Sequence, residues 1–578
     1  MKNLGSALYT SLKSRLFFVA VITVLIALSF TVTALMKGNK KTSQSQSNDP
    51  SADFWQEVPK PAAAASSGQS SSSGLQVEIQ PRRFRAFTLN RDAMQRKLAA
   101  APREFTAAAR QATFFLSLPD PTGKFQRFAV HDSPVMEPGL AAKHPDIKTY
   151  AGKGIDDASA TVRFDLTPLG FHASIRGQSG AWYIDPYYHL DQSVYVSYFR
   201  NDLENRHGVF TELEADEALI TADRSFYRVG ETVTLRGSGF AGRTVINVTI
   251  SDPETASRTR NLAVTSDENG SFEVKFAASS DGSAAALAIT ASDSVKEASA
   301  SYEVISKLGN VPLTATGDQL RTYRLAMITD PGYATYHGGP ANVTAAKVTL
   351  INRVDQLYEE DLSIRLVLVA NNDLLNLDTW DLATAPNGPC GSAACFTQTQ
   401  VTGCASTTRA RFVIGQIIGA SNYDVGHLAL GQPGGGVANL GVVGRSNKAG
   451  GCTGIPTPIG DFYAVDYVAH EMGHQFSGNH PFNGNQLNCS GGNRSAANSM
   501  EPGSGSSVMA YAGICLTDDL QRHSDPYFSW RSQLDITTYT TSNQTAINEV
   551  QTASLVHFGG GNEVQVVTFG PGDRKSVV

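Results

Sequence analysis

The sequence predicts a multidomain α+β chain. An α+β region and an all-β sandwich precede an α/β domain with a twisted mixed sheet and one histidine-bearing helix. Three observations predict this. The chain has 578 residues, too many for one ordinary core, so about three or four units are expected. Residues 216–306 read as short alternating strands separated by Gly, Ser, Asp and Asn turns. From residue 312 the period changes: a strand-like run at 322–328, an amphipathic helix at 342–359, then the nearly continuous apolar SIRLVLV at 363–369.

Composition narrows the function classes. Hydrophobic residues make up 41% and charged residues 17%, a globular balance rather than a disordered one. The net charge is −6, from 47 Lys+Arg against 53 Asp+Glu. Nucleic acid is therefore not an expected partner, because a phosphate binder needs a basic face. With 52 Gly and only 4 Trp, the chain is expected to be rich in turns and strands.

The N-terminus predicts export. Lys2, Lys13 and Arg15 precede an apolar run from Leu16 to Met36, followed by Lys37, Lys40 and Lys41. The run is about 21 residues, long enough to span a bilayer and longer than a usual cleaved signal core. Val32-Thr33-Ala34 offers a small-residue cleavage pattern. Two readings follow for 1–37, a cleaved signal peptide or an uncleaved signal-anchor, and both place the rest of the chain outside the cytoplasm, secreted or membrane-anchored. Residues 38–75 read as a Ser/Gly/Ala-rich linker that cannot bury enough apolar surface to fold. Within it, DFWQEVPK at 53–60 is an aromatic island.

Residues 76–215 read as α+β. Phe87, Leu89, Met94 and Leu98 have helical spacing within 86–109, and runs at 112–118, 124–130 and 160–166 read as strands. No catalytic constellation stands out, and His131, His144, His172 and His189 are scattered. About ninety residues of regularly spaced strands at 216–306 suggest an immunoglobulin-like sandwich. It lacks the inter-sheet cysteine pair, and YRVGETVTLRGSGF resembles the opening of bacterial Ig-like surface modules. A spacer role is expected for it.

All six cysteines, Cys390, Cys395, Cys404, Cys452, Cys489 and Cys515, lie in the last third. An even set without a CxxC pair predicts local disulfides in an oxidising compartment rather than a thiolate zinc site. The pairing is not deducible from spacing.

The decisive segment is YVAHEMGHQFSGNHPF at 467–482. His470 and His474 are four apart, about 400° of helical rotation and roughly 6 Å of rise, so both imidazoles leave one face. Two such nitrogens can meet one tetrahedral zinc. Glu471, next to His470, faces the open side of the metal, where it can take a proton from activated water and carry it to the departing amine. A third ligand requires the chain to turn back. Gly478 is expected to make that turn through a positive φ, and His480 then arrives. With 12 His in 578 residues, a third histidine at the required place has a chance of about 1 in 50. Ser507-Val508-Met509-Ala510-Tyr511 follows about thirty residues later.

HExxH, a third His and a later Met together resemble the metzincin pattern HExxHxxGxxH with its Met-turn. More narrowly the sequence resembles the bacterial reprolysin-like (adamalysin-related) zinc metallopeptidases. The supporting stretches are YEEDLSIRLVLV (358–369), YDVGHLALGQPGGGVANLGVVG (423–444), the histidine helix and HSDPYFS (523–529). The resemblance implies an endopeptidase with one catalytic zinc held by His470, His474 and His480, and with Glu471 as acid/base. It places Met509 as the floor beneath the metal and Tyr511 as an auxiliary candidate, with a structural role favoured. It makes Gly436, Val437, Ala438, Asn439, Leu440 and Gly441 an edge strand along which a protein or peptide substrate lies extended. By the same resemblance, 76–215, including SPVMEPGLAAKHPDIKTYAGKGIDD at 133–157, is a pro-region, 312–560 is the catalytic domain and 561–578 is a tail.

Two departures are visible. The family's glycine after the second His falls at Ser477, with Gly478 one place later. No cysteine precedes Cys390, so a pro-region cannot silence the zinc with a thiolate. His427 and His523 are not assigned. No EF-hand spacing occurs, so no calcium site is read, and no oligomeric state follows. The alternative reading is a surface adhesion or binding protein that keeps the fold without turnover. The intact Glu471 argues against it.

Overall fold

Trp55, inside the stretch read as linker, opens a sheet. The computed structural model describes residues 50–61, 75–203, 218–305 and 319–542 together with strands Glu549–Ala553 and Val567–Phe569, apart from 112, 179, 223–225, 253–254, 269, 279–284, 294–295, 405–406 and 446. The expected export segment 1–37 and the linker parts 38–49 and 62–74 lie outside the described residues. Among the described residues no helix is long and apolar enough to cross a membrane.

The N-terminal part is a nine-stranded antiparallel sheet. Trp55–Val58 pairs with Arg85–Leu89, which pairs with Asp191–Phe199, and the order then runs back along the chain to Phe115–Pro119 at the far edge. The linker expectation therefore fails at 55–58. Trp55 is buried and meets Phe87, Phe171 and Tyr195 edge-to-face, a contact made across sequence that local composition does not reveal. The expected helix over 86–109 begins later, at Arg91, because Phe87 and Leu89 belong to a strand. Asn90 caps the helix by accepting from the Ala93 amide.

Residues 219–305 form a three-stranded and a five-stranded sheet that share one apolar core, including Val233, Leu235, Ile246, Val248 and Ile289.

The last part is α/β. Its central strand Gln319–Thr329 pairs in parallel with Ile364–Leu368 and with Val425–Leu430, which pairs in parallel with Gly451–Gly454. Gly435–Ala438 adds antiparallel as an edge, so the sheet is mixed. Glu549–Ala553 and Val567–Phe569 add at the other side, carrying the sheet past the expected boundary at 560. The helix Pro340–Leu362 is longer than the expected 342–359, because Pro340 is tolerated in its first turn and Ser363 closes it in a left-handed conformation.

This domain shares its main apolar core with the N-terminal part. Val135, Met136, Leu140 and Ile147 are buried in the same cluster as Leu366, Leu368, Met472 and Met509. Residues 135–137 also pair with the outer edge of Ile364–Leu368: the Leu368 amide donates to the Val135 carbonyl and the Glu137 amide to the Leu368 carbonyl, both at 2.9 Å.

Candidate metal centre

The segment Phe462–Ala469 is wound as a π-helix and continues as the α-helix His470–Gln475. His470 and His474 project from the α-helical turn as their spacing requires. The chain then stops in a Schellman motif: the Ser477 amide donates to the His474 carbonyl at 2.7 Å and the Gly478 amide to the Gly473 carbonyl at 2.8 Å. The positive φ this motif demands falls on Ser477, at 76°, and not on Gly478. That corrects the expectation for Gly478. Glycine is needed there for room instead, since a Cβ would stand 3.0 Å from the Gly473 carbonyl oxygen and 3.1 Å from Ile536.

The reversal brings His480 back to the other two. The Nε2 atoms are 3.2 Å apart for His470–His480, 3.2 Å for His470–His474 and 3.0 Å for His474–His480. All three residues are buried. Each Nδ1 faces a backbone carbonyl: Val508 for His470 at 2.7 Å, Gly478 for His474 at 2.7 Å and Asn493 for His480 at 2.6 Å. A carbonyl only accepts, so each Nδ1 carries the proton and each Nε2 presents a lone pair. Three lone pairs directed at one another in a buried space form a donor set that can hold a metal ion.

Zinc fits this donor set. Two nitrogens bound at 2.0–2.1 Å to one tetrahedral zinc lie about 3.3–3.4 Å apart, close to the separations seen. Outer carbonyls that orient the rings are the usual second layer of such a site. Among the described residues no other group of three His, Cys, Asp or Glu side chains converges in this way. A thiolate site is ruled out for the cysteines, which pair as Cys390–Cys395, Cys404–Cys452 and Cys489–Cys515. The third bridge ties the loop carrying His480 to the segment after Met509.

Glu471 is fully buried. Its carboxylate lies against Gly436 of the edge strand, where a Cβ would collide with Oε1. The structure thus brings Glu471 and the expected substrate strand together. That strand is shorter than expected. Gly436, Val437 and Ala438 are in it, and the Asn439 amide still donates to the Gly450 carbonyl at 2.7 Å, whereas Leu440 and Gly441 turn off the sheet. The Gly441 and Val442 amides donate instead to the His474 and Gln475 carbonyls, both at 2.9 Å, satisfying the end of the helix.

Met509 is buried beneath the helix, and a Cβ on Gly473 would collide with its Sδ. Gly473 is thus the close-approach point for the methionine. The Tyr511 ring packs against His480 at 4.5 Å, Phe482 at 4.7 Å and His470 at 5.6 Å between centroids. Behind His480, Asn479 and Asn498 donate to Asp535, whose carboxyl burial raises to about 6.

His427 and His523 lie apart from the triad. The His427 imidazole is buried between Gln475 at 2.9 Å and Thr453 at 3.1 Å, and burial lowers it to about 4. Burial also lowers His523, helped by the Arg200 charge. Sequence reasoning missed Gly436 and Gly473 as close-approach positions and the three orienting carbonyls. Carbonyls leave no side-chain signal; the glycines within the quoted motifs did.

Residues 340–531 match the family described as Metallo-peptidase family M12B Reprolysin-like. No curated protein matches the chain. Among solved structures, the sulfur carrier protein SoxY from Chlorobium limicola f thiosulfatophilum is 16% identical, with 17% of this chain and 86% of that chain covered at a TM-score of 0.12. A tetra-tandem repeat from the extending region of a large adhesion protein is 13% identical, with 32% of this chain and 54% of that one covered, at a TM-score of 0.12. Likenesses of this size carry no argument about fold or function.

Proposed function

We propose, from the premise that residues 340–531 make this chain a reprolysin-like metallopeptidase of family M12B, that it is an exported zinc endopeptidase with Glu471 as general base and acid. The observation that carries the proposal is the convergence of three Nε2 lone pairs within 3.0–3.2 Å, each ring fixed by a carbonyl behind it.

His470, His474 and His480 would hold the ion. When bound, zinc supplies the Lewis acidity that polarises a scissile carbonyl and acidifies an attacking water. Glu471 accepts the proton of that water and delivers it to the departing amine. Its burial against Gly436 supports this role by holding the carboxylate beside the edge strand. Gly435–Ala438 offers an extended peptide its outer main-chain groups, so it aligns the substrate backbone with little demand on its sequence. Met509 supports the helix that carries two of the ligands, and Tyr511 packs the rings of His470 and His480.

Export is supported by three disulfides, which persist in oxidising compartments, and by the basic-then-apolar N-terminus. Casein hydrolysis by purified wild type and Glu471→Gln tests the activity. Chelator-sensitive cleavage is expected for wild type only, with zinc retained by the variant. Equal cleavage by both contradicts the role of Glu471, and no cleavage by zinc-loaded wild type contradicts the peptidase reading.

A further inference from the structure

Arg200 directly follows the last strand of the N-terminal sheet, Asp191–Phe199, yet its side chain is buried against the histidine-bearing helix. It forms ion pairs with Asp461 and, at 2.9 Å, with Asp466. Asp466 also accepts from the Ser524 amide at 2.6 Å. Asp461 is the N-cap of the π-wound segment and Asp466 lies within it. A π turn closes its hydrogen bond from residue i to i+5, so residues five apart stack on one face. On an α-helix they would diverge by about 140°. One guanidinium bridging Asp461 and Asp466 therefore favours the π winding directly upstream of His470.

This contact has company. Arg163 donates to Glu359 at 2.6 Å and Asn352 at 2.8 Å, Arg176 to Glu360 at 2.7 Å and Asp361 at 3.0 Å, and Arg353 donates back to Asp185 at 2.7 Å. Asp361 also accepts from the Phe528 amide at 2.7 Å, and the neighbouring Tyr527 carbonyl accepts from Val508, whose own carbonyl orients His470. Removing residues 51–203 would strip the buried apolar residues Val135, Met136, Leu140 and Ile147 from the shared core, leave Glu360 and Asp361 without Arg176 and Asp461 and Asp466 without Arg200, and leave Arg353 without Asp185.

We propose that residues 51–203 are a retained part of the working enzyme rather than a discarded pro-region, and that Arg200 is a positioning residue for the metal-bearing helix. Its guanidinium holds the π turn between Asp461 and Asp466. That turn sets the rotation at which His470 and His474 leave the helix. The kinetic and composition parts of the test rest on the peptidase reading; the hydrogen-exchange part does not.

The test compares full-length wild type, Arg200→Gln, Arg200→Lys and the control Arg83→Gln, an exposed arginine paired with Asp202 in the same domain. Hydrogen exchange over 461–476 and kcat and KM on a fluorogenic peptide are measured. For Arg200→Gln we expect faster exchange in that segment and a loss of at least about tenfold in kcat with KM nearly unchanged. Arg200→Lys should recover part of both, and Arg83→Gln should match wild type. Unchanged exchange and kcat in Arg200→Gln overturn the proposal. Should Arg200→Gln not fold, the composition of active wild type decides. Residues 51–203 are expected to remain with it, covalently or as a bound fragment, and full activity in a species lacking them overturns the proposal. A wild type that cleaves nothing defeats the peptidase reading, and the exchange data then decide the role of Arg200 alone.

Discussion

The Glu471 carboxylate occupies the space in which a side chain on Gly436 would stand. The edge strand and the proposed base are thus fitted to each other, and the lack of a Cβ at position 436 is a condition for the position of Glu471. Gly436→Ala should push the carboxylate aside while leaving the three histidines in place. A displacement of this kind costs about 100-fold in kcat/KM, with zinc content unchanged. Parallel kinetics and metal analysis check this.

Ser477 holds a φ of 76° at the C-terminal turn of the histidine helix. A non-glycine residue there costs about 1 kcal/mol. Ser477→Gly should raise stability by about that amount and leave kcat/KM unchanged. Urea unfolding midpoints measure the gain.

Acid should weaken the fold through His427. Burial lowers its imidazole from 6.5 to about 4, so the folded state favours the neutral ring. The resulting stability is fully present above the unfolded value of 6.5 and is lost as pH falls toward 4. The full shift corresponds to roughly 3 kcal/mol. His427→Gln should therefore lose less stability than wild type between about pH 7.5 and pH 4.5, as urea midpoints at the two values will show.

The Cys489–Cys515 bridge closes a loop with a sequence separation of 26, and this loop carries Met509 and follows His480. Chain-entropy reasoning assigns such a bridge about 3.5 kcal/mol. Replacing both cysteines by serine should lower the thermal midpoint and weaken zinc retention in a chelator competition. Replacing Cys390 and Cys395, only five apart, should affect zinc retention far less.

Much of the centre was legible because it is local. The spacing of His470 and His474 declares a shared helical face, and the apolar run at 363–369 declares a buried strand. The placement of Ser477 was misjudged because glycine is the usual occupant of a left-handed cap, and which residue takes the cap depends on where the helix stops. Trp55, residues 135–137 and Arg200 were opaque for a different reason. Each acts through partners far along the chain, and an isolated Trp, a Val-Met-Glu run or an Arg at a strand end carries no periodic signal. The π winding was equally hidden, because Asp461 and Asp466 are bridged by Arg200, which arrives from far along the chain.

Zinc-edge X-ray absorption on the purified chain reads the three-histidine centre itself. One zinc per chain with three imidazole nitrogens at about 2.0–2.1 Å is expected, reduced in His480→Ala. Folded protein without stoichiometric zinc, or zinc in a sulfur-containing shell, would contradict that centre.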